Sequence, residues 1–123
     1  MKTHLVAVYG SLRQGLGNHS RLEKSPLVGT CIVEGYEMRS LGGFPVIYPT
    51  TTSDKIVVEV YQVTEDTLEG SLDSLEGHPD WYRRIEVPTE FGKAWIYVMM
   101  DQCYKLHQLV EHGDWYKFRT GTA

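Results

Sequence analysis

Hydrophobic and polar positions divide the chain into short apolar runs punctuated by glycine, proline and polar residues, with one stretch at helical spacing. His4–Tyr9 reads HLVAVY and stops at Gly10 and Ser11, the pattern of a buried strand feeding a tight loop that Gly15, Gly17 and Asn18 extend. Leu27–Tyr36 is a second strand, with Gly29 and Gly35 as bulge or turn points. Leu41–Pro49, broken by glycine and proline, reads as turn, short strand, turn. Lys55–Val63 alternates as a strand does. At Thr64 the period changes: Thr64 is a good helix cap, Glu65 and Asp66 follow where the dipole favours acids, and Leu68, Leu72 and Leu75 lie on one face. Gly77 and Pro79 end that helix. Arg84–Pro88 and Lys93–Asp101 are two further strands with a turn at Glu90–Gly92. Cys103–Glu111 is ambiguous, Leu106, Leu109 and Val110 allowing a short helix, and the tail from Gly113 is polar and aromatic.

The outline is about six strands and one firm helix without strand–helix–strand alternation, which argues against a parallel sheet and for a small mixed or closed sheet with helices on one side. The 123 residues fit one domain, 1–123, and 41% apolar residues suffice for a core. With 23% charged residues, a net charge of -4 and scattered Lys and Arg, there is no basic stripe, so no nucleic-acid partner is expected. No apolar run approaches the roughly 18 residues of a membrane span, and Met1–His4 leads into a strand and not a signal peptide. A cytoplasmic protein with no membrane partner is expected. There Cys31 and Cys103 are expected to be free core thiols.

Two segments carry candidate chemistry. In Val8-Tyr9-Gly10-Ser11-Leu12-Arg13 a strand ends in a Gly-Ser turn, where consecutive backbone N–H groups form a concave anion site that glycine lets a ligand approach. The bland alternative is a strand-ending turn. In the segment from Leu72 to Arg84, Glu76 falls at the C-terminal end of the helix, against the negative pole of its dipole. A buried carboxylate there would hold its proton more tightly, as a general base near neutral pH requires; the alternative is an exposed helix-end acid. A third segment, Gly113-Asp114-Trp115-Tyr116, could cover a pocket or cap the core. His4, His19, His78, His107 and His112 form no metal-ligand spacing, so no metal site is expected, and the absence of a GxSxG elbow sets aside a serine hydrolase built on Ser11.

Taken in order, these segments resemble the gamma-glutamylcyclotransferase-like family, which includes gamma-glutamylamine cyclotransferases and AIG2-like proteins. The resemblance runs from the Val8–Arg13 loop through Gly15 or Gly17 with Asn18, the turn Gly43-Phe44-Pro45 and the strand Val57-Val58-Glu59-Val60-Tyr61. It continues through Leu72, Asp73, Leu75, Glu76, Pro79, Tyr82 and Arg84, the strand Ala94–Tyr97 and the tail Gly113–Trp115. Val58 stands where the family often has glycine. The resemblance implies an α+β fold: a small closed or nearly closed mixed β-barrel with flanking short helices. It implies that Tyr9, Gly10, Ser11 and Leu12 bind the α-carboxylate of a small-molecule gamma-glutamyl substrate, that Tyr82 lines the pocket, and that Glu76 is the acid/base residue. Asn18, Arg84 and Trp115 would line or brace the pocket. The reaction implied is cyclisation of the glutamyl part to 5-oxoproline, needing no cofactor. A binding module of the same fold and an amidase releasing glutamate are the alternatives, and the leaving amine and oligomeric state stay open.

Overall fold

The computed structural model describes residues 2–10, 12–13, 22, 25–41, 44–50, 54–78, 80–99, 108–110 and 113–116. Its strands are β1 (Thr3–Val8), β2 (Leu27–Glu34), β3 (Tyr36–Ser40), β4 (Pro45–Pro49), β5 (Lys55–Thr64), β6 (Tyr82–Thr89), β7 (Gly92–Met99) and β8 (Gln108–Leu109). They make a five-stranded sheet in the order β2-β5-β1-β7-β6 and a three-stranded sheet in the order β4-β3-β8. The large sheet is mixed: β1 runs antiparallel to β5 and parallel to β7, the last through Val6 opposite Trp95.

The expectation of a mixed α+β fold is met. No ladder between described residues closes either sheet into a barrel, although the β2 and β6 edges draw together where the Phe91 ring, in the β6–β7 turn, lies against Gly29; a Cβ there would be 2.4 Å from the ring.

The apolar run of β1 is explained by burial on both faces of the sheet. Ala7 and Tyr9 join one core cluster with Val58, Val60, Ile96, Val98 and Trp115. Val6 and Val8 point the other way, toward Tyr61, Val63, Tyr97 and Met99. The helical run 65–76 covers this second face through Leu68 and Leu72, both fully buried. Burial of that kind is worth about 1.5–3 kcal/mol per leucine. The Thr64 hydroxyl caps the run, accepting from the Thr67 N–H at 3.2 Å. Thr67–Leu72 winds in wider π-type turns before α1 (Asp73–Glu76).

Two strands differ from the sequence reading. Tyr36–Ser40 is β3, paired with β4 from Tyr36 opposite Pro49 to Ser40 opposite Pro45. Its part-buried Glu37 and Arg39 form an ion pair at 2.8 Å, and these charges hid the alternation. Gln108 and Leu109 pair with β3 as a strand, where a short helix was allowed, because the free side of β3 offers a ladder. Of the two cysteines, Cys31 is a free buried thiol, raised by burial, and Cys103 lies outside the described residues.

Candidate active site

The site grows from the buried end of β1. Tyr9 follows the last residue of the strand, 6% exposed, and its hydroxyl donates to the Tyr97 carbonyl on β7 at 2.6 Å. The chain then turns: the Arg13 N–H donates to the Gly10 carbonyl at 3.0 Å. A Cβ at position 10 would come within 3.1 Å of the Pro45 ring, tighter than most real contacts, so glycine lets the loop lie flat against β4. Tyr82, at the start of β6, donates its hydroxyl to the Pro45 carbonyl at 2.8 Å. Gly10 and Tyr82 thus both meet Pro45. Leu12 is buried in the core beneath.

Glu76 is the last residue of α1. Gly77 takes the left-handed conformation at φ 65°, the His78 N–H bonds the Asp73 carbonyl at 3.0 Å and the Gly77 N–H bonds the Ser74 carbonyl at 3.3 Å. This Schellman arrangement stops the helix and leaves half-buried Glu76 at its carbonyl end. The Glu76 charge acts on two tyrosines. Burial pushes the Tyr9 hydroxyl well above the usual tyrosine range, and the charges of Tyr82, Glu76 and Tyr48 push it further. Burial likewise raises Tyr97, reinforced by its hydrogen bond to Asp73 and by the charges of Asp73 and Glu76, against the opposing pull of Arg84.

The helix end is braced from the sheet. Asp73 Oδ1 accepts from the Tyr97 hydroxyl at 2.5 Å and from Arg84 Nε at 2.9 Å. The Arg84 guanidinium lies 4.5 Å from the centre of the Trp95 ring, and the Arg84 N–H donates to His78 Nδ1 at 3.2 Å.

The structure therefore gathers Tyr9, Gly10 and Tyr82 around β7 and β4, and the Glu76 charge acts on the Tyr9 hydroxyl. Trp115 is 1% exposed and packs in the core cluster that contains Tyr9. Ser11 and Asn18 lie outside the described residues. Trp81, 42% exposed, stands beside Tyr82 at 5.5 Å between ring centres and edge-on to Phe44 at 5.6 Å. Sequence reading had no role for Tyr97, and Asp73 entered only as part of a motif. The available signal for Asp73 was its spacing, one turn before Glu76 on the same helix. Among the described residues no three His, Cys, Asp or Glu side chains gather as a metal ion would need.

The model of the family described as gamma-glutamyl cyclotransferase, AIG2-like, matches residues 6–117. The chain belongs to that family. This gamma-glutamylcyclotransferase family member is 42% identical over 113 residues to a Vibrio cholerae protein provisionally named a gamma-glutamylcyclotransferase, covering 91% of this chain and 95% of the relative. It is 34% identical over 110 residues to the gamma-glutamylcyclotransferase family protein YtfP of Escherichia coli, covering 89% and 94%. The crystal structure of a Pyrococcus horikoshii protein superposes with a TM-score of 0.83 at 30% identity, covering 96% of this chain and 94% of that one. A mouse AIG2-like protein shares the fold, with a TM-score of 0.74 at 21% identity over 90% and 88% of the two chains.

Proposed function

We propose that the chain is a cytoplasmic, single-domain cyclotransferase that cleaves gamma-glutamyl amides to 5-oxoproline and a free amine, with Glu76 as general base and acid. The observation that carries this reading is that the charge of Glu76 acts on the hydroxyl of Tyr9, the residue just before the Gly10 turn. A ligand whose α-carboxylate lay on the backbone N–H groups of that turn would carry its α-amine on the adjacent carbon, where a nearby carboxylate could take its proton.

The chemistry needs little more. Glu76 takes a proton from the α-ammonium, and the freed lone pair attacks the γ-carbonyl carbon. The γ C–N bond breaks and the proton returns to the departing nitrogen. The second proton shed by the new lactam nitrogen follows the same route onto the released amine, which leaves as an ammonium. Ring closure is intramolecular, and effective molarities reach about 10⁵ M or more when geometry is held. Proton transfer by a positioned carboxylate adds about 10²–10⁴-fold.

The test is to incubate the protein with gamma-glutamyl amino acids, gamma-glutamyl polyamines and gamma-glutamyl-lysine, and to assay 5-oxoproline by mass spectrometry, with Glu76→Gln alongside. Turnover by the wild type and none by the variant supports the reading. Free glutamate in place of 5-oxoproline points to an amidase. No product from any compound overturns the reaction and leaves a binding module.

A further inference from the structure

Four polar residues of the segments singled out above take no part in the proposed chemistry: Arg13 after the loop, Glu59 and Tyr61 on β5, and Asp114 in the tail. The fold brings them together in one cluster. Arg13 is 7% exposed and Glu59 6%. Arg13 Nε donates to Glu59 Oε2 at 3.0 Å and Nη1 to Asp114 Oδ1 at 2.8 Å. The Tyr61 hydroxyl donates to the other Glu59 oxygen at 2.9 Å, and the Tyr116 ring centre lies 5.7 Å from the guanidinium.

A buried ion cluster is a poor device for stability alone, since apolar residues of similar volume often do as well or better. What a planar fork between two carboxylates supplies is orientation. Here the fork is carried by the last residue of the Gly10–Arg13 turn, whose N–H closes that turn. One carboxylate comes from the sheet and the other from a segment 101 residues away. We infer that Arg13 is a positioning residue: anchored by Glu59 and Asp114, it sets the Gly10 turn in the shape that receives the substrate's α-carboxylate, without touching the substrate. Two carboxylates already face its single charge, so it has no surplus to offer an anion.

This inference rests on the proposed site and predicts a sign that a direct anion ligand would reverse. Removing a nearby negative charge would tighten anion binding at a direct ligand. Loosening a clamp would weaken it. The experiment compares wild type, Asp114→Asn and Arg13→Lys for KM and kcat with the gamma-glutamyl panel, and for the affinity of 5-oxoproline by calorimetry. Loss of a charge-assisted hydrogen bond predicts a KM or dissociation constant raised about tenfold or more in Asp114→Asn, with kcat changed far less. Arg13→Lys, which keeps the charge but not the fork, should show the same; if it fails to fold, Asp114→Asn decides. An unchanged or lowered KM in Asp114→Asn overturns the inference, because a merely structural loss reduces the folded fraction and leaves KM alone. If the wild type binds 5-oxoproline without turning over the panel, the reaction fails and the clamp is judged from the dissociation constants. If the wild type neither binds nor reacts, both readings are overturned.

Discussion

The Tyr9 hydroxyl donates to the Tyr97 carbonyl at 2.6 Å, across 88 residues of chain and inside the core. The same Tyr97 reaches back with its own hydroxyl to Asp73 on α1. One residue thus ties the loop that follows β1 to the helix that carries Glu76.

Tyr9→Phe removes one end of that tie while keeping the ring in its cluster. The expected cost is about 1–2 kcal/mol, the penalty for stranding a buried acceptor. Urea unfolding should show a lower midpoint with an unchanged slope; an unchanged midpoint would mean that the bond adds nothing.

Asp73→Asn acts at the other end. It keeps the shape but removes the charge that Arg84 and Tyr97 both address. With Glu76 one turn further along a loosened helix end, kcat for a gamma-glutamyl substrate should fall about tenfold to a hundredfold, as small misplacements of a catalytic group do. KM should move much less. Initial-rate kinetics separate the two, and an equal rise in KM would argue against a role at the helix.

Two glycines make opposite predictions. A Cβ at Gly113, where φ is 62°, would lie 2.0 Å from the Lys55 carbonyl oxygen. Gly113→Ala should therefore cost at least about 2 kcal/mol. At Gly70, in the middle of the helical run, a Cβ meets nothing within 4 Å. Gly70→Ala should stabilise by about 0.5–1 kcal/mol. Thermal melts of the pair check both signs.

Tyr9, Tyr61 and Tyr97 all titrate above the usual tyrosine value, burial being the first cause in each. A tyrosine whose folded pKa is raised is held protonated by the fold. Its contribution is whole below the unfolded value near 10 and is lost as pH rises from there through the folded value. Each such group removes about 1.4 kcal/mol per pH unit in that window, so the three together remove about 4. Unfolding midpoints in urea from pH 8 to 12, followed by tyrosinate absorbance, should fall steeply above pH 10. Smooth ionisation of all eight tyrosines near pH 10 in a folded protein would contradict this.

What could be read ahead of the structure follows from how local each feature is. Thr64 as a cap and Gly77 as a stop act on their neighbours, so the helix and the place of Glu76 at its end were legible. The strand HLVAVY was legible because burial on both faces leaves one continuous apolar run. β3 was hidden because YEMRS carries two charges in five residues, and its pairing with β4 and β8 depends on partners elsewhere. The bond between Tyr97 and Asp73 and the gathering around Arg13 were out of reach for the same reason. Propensity and period describe neighbours in sequence, and these contacts join residues 24 to 101 positions apart.

The place of β1 in the sheet has a consequence for how the molecule is made. It lies between β5 and β7, and its neighbours span Lys55–Thr64 and Gly92–Met99. In chain order, and so on the ribosome, the central strand precedes both of its partners. Until β7 is made, HLVAVY has an incomplete ladder, and such long-range pairing is slow and exposed to aggregation. The Tyr9–Tyr97 bond cannot form earlier either, so the site is assembled only once β7 has been made.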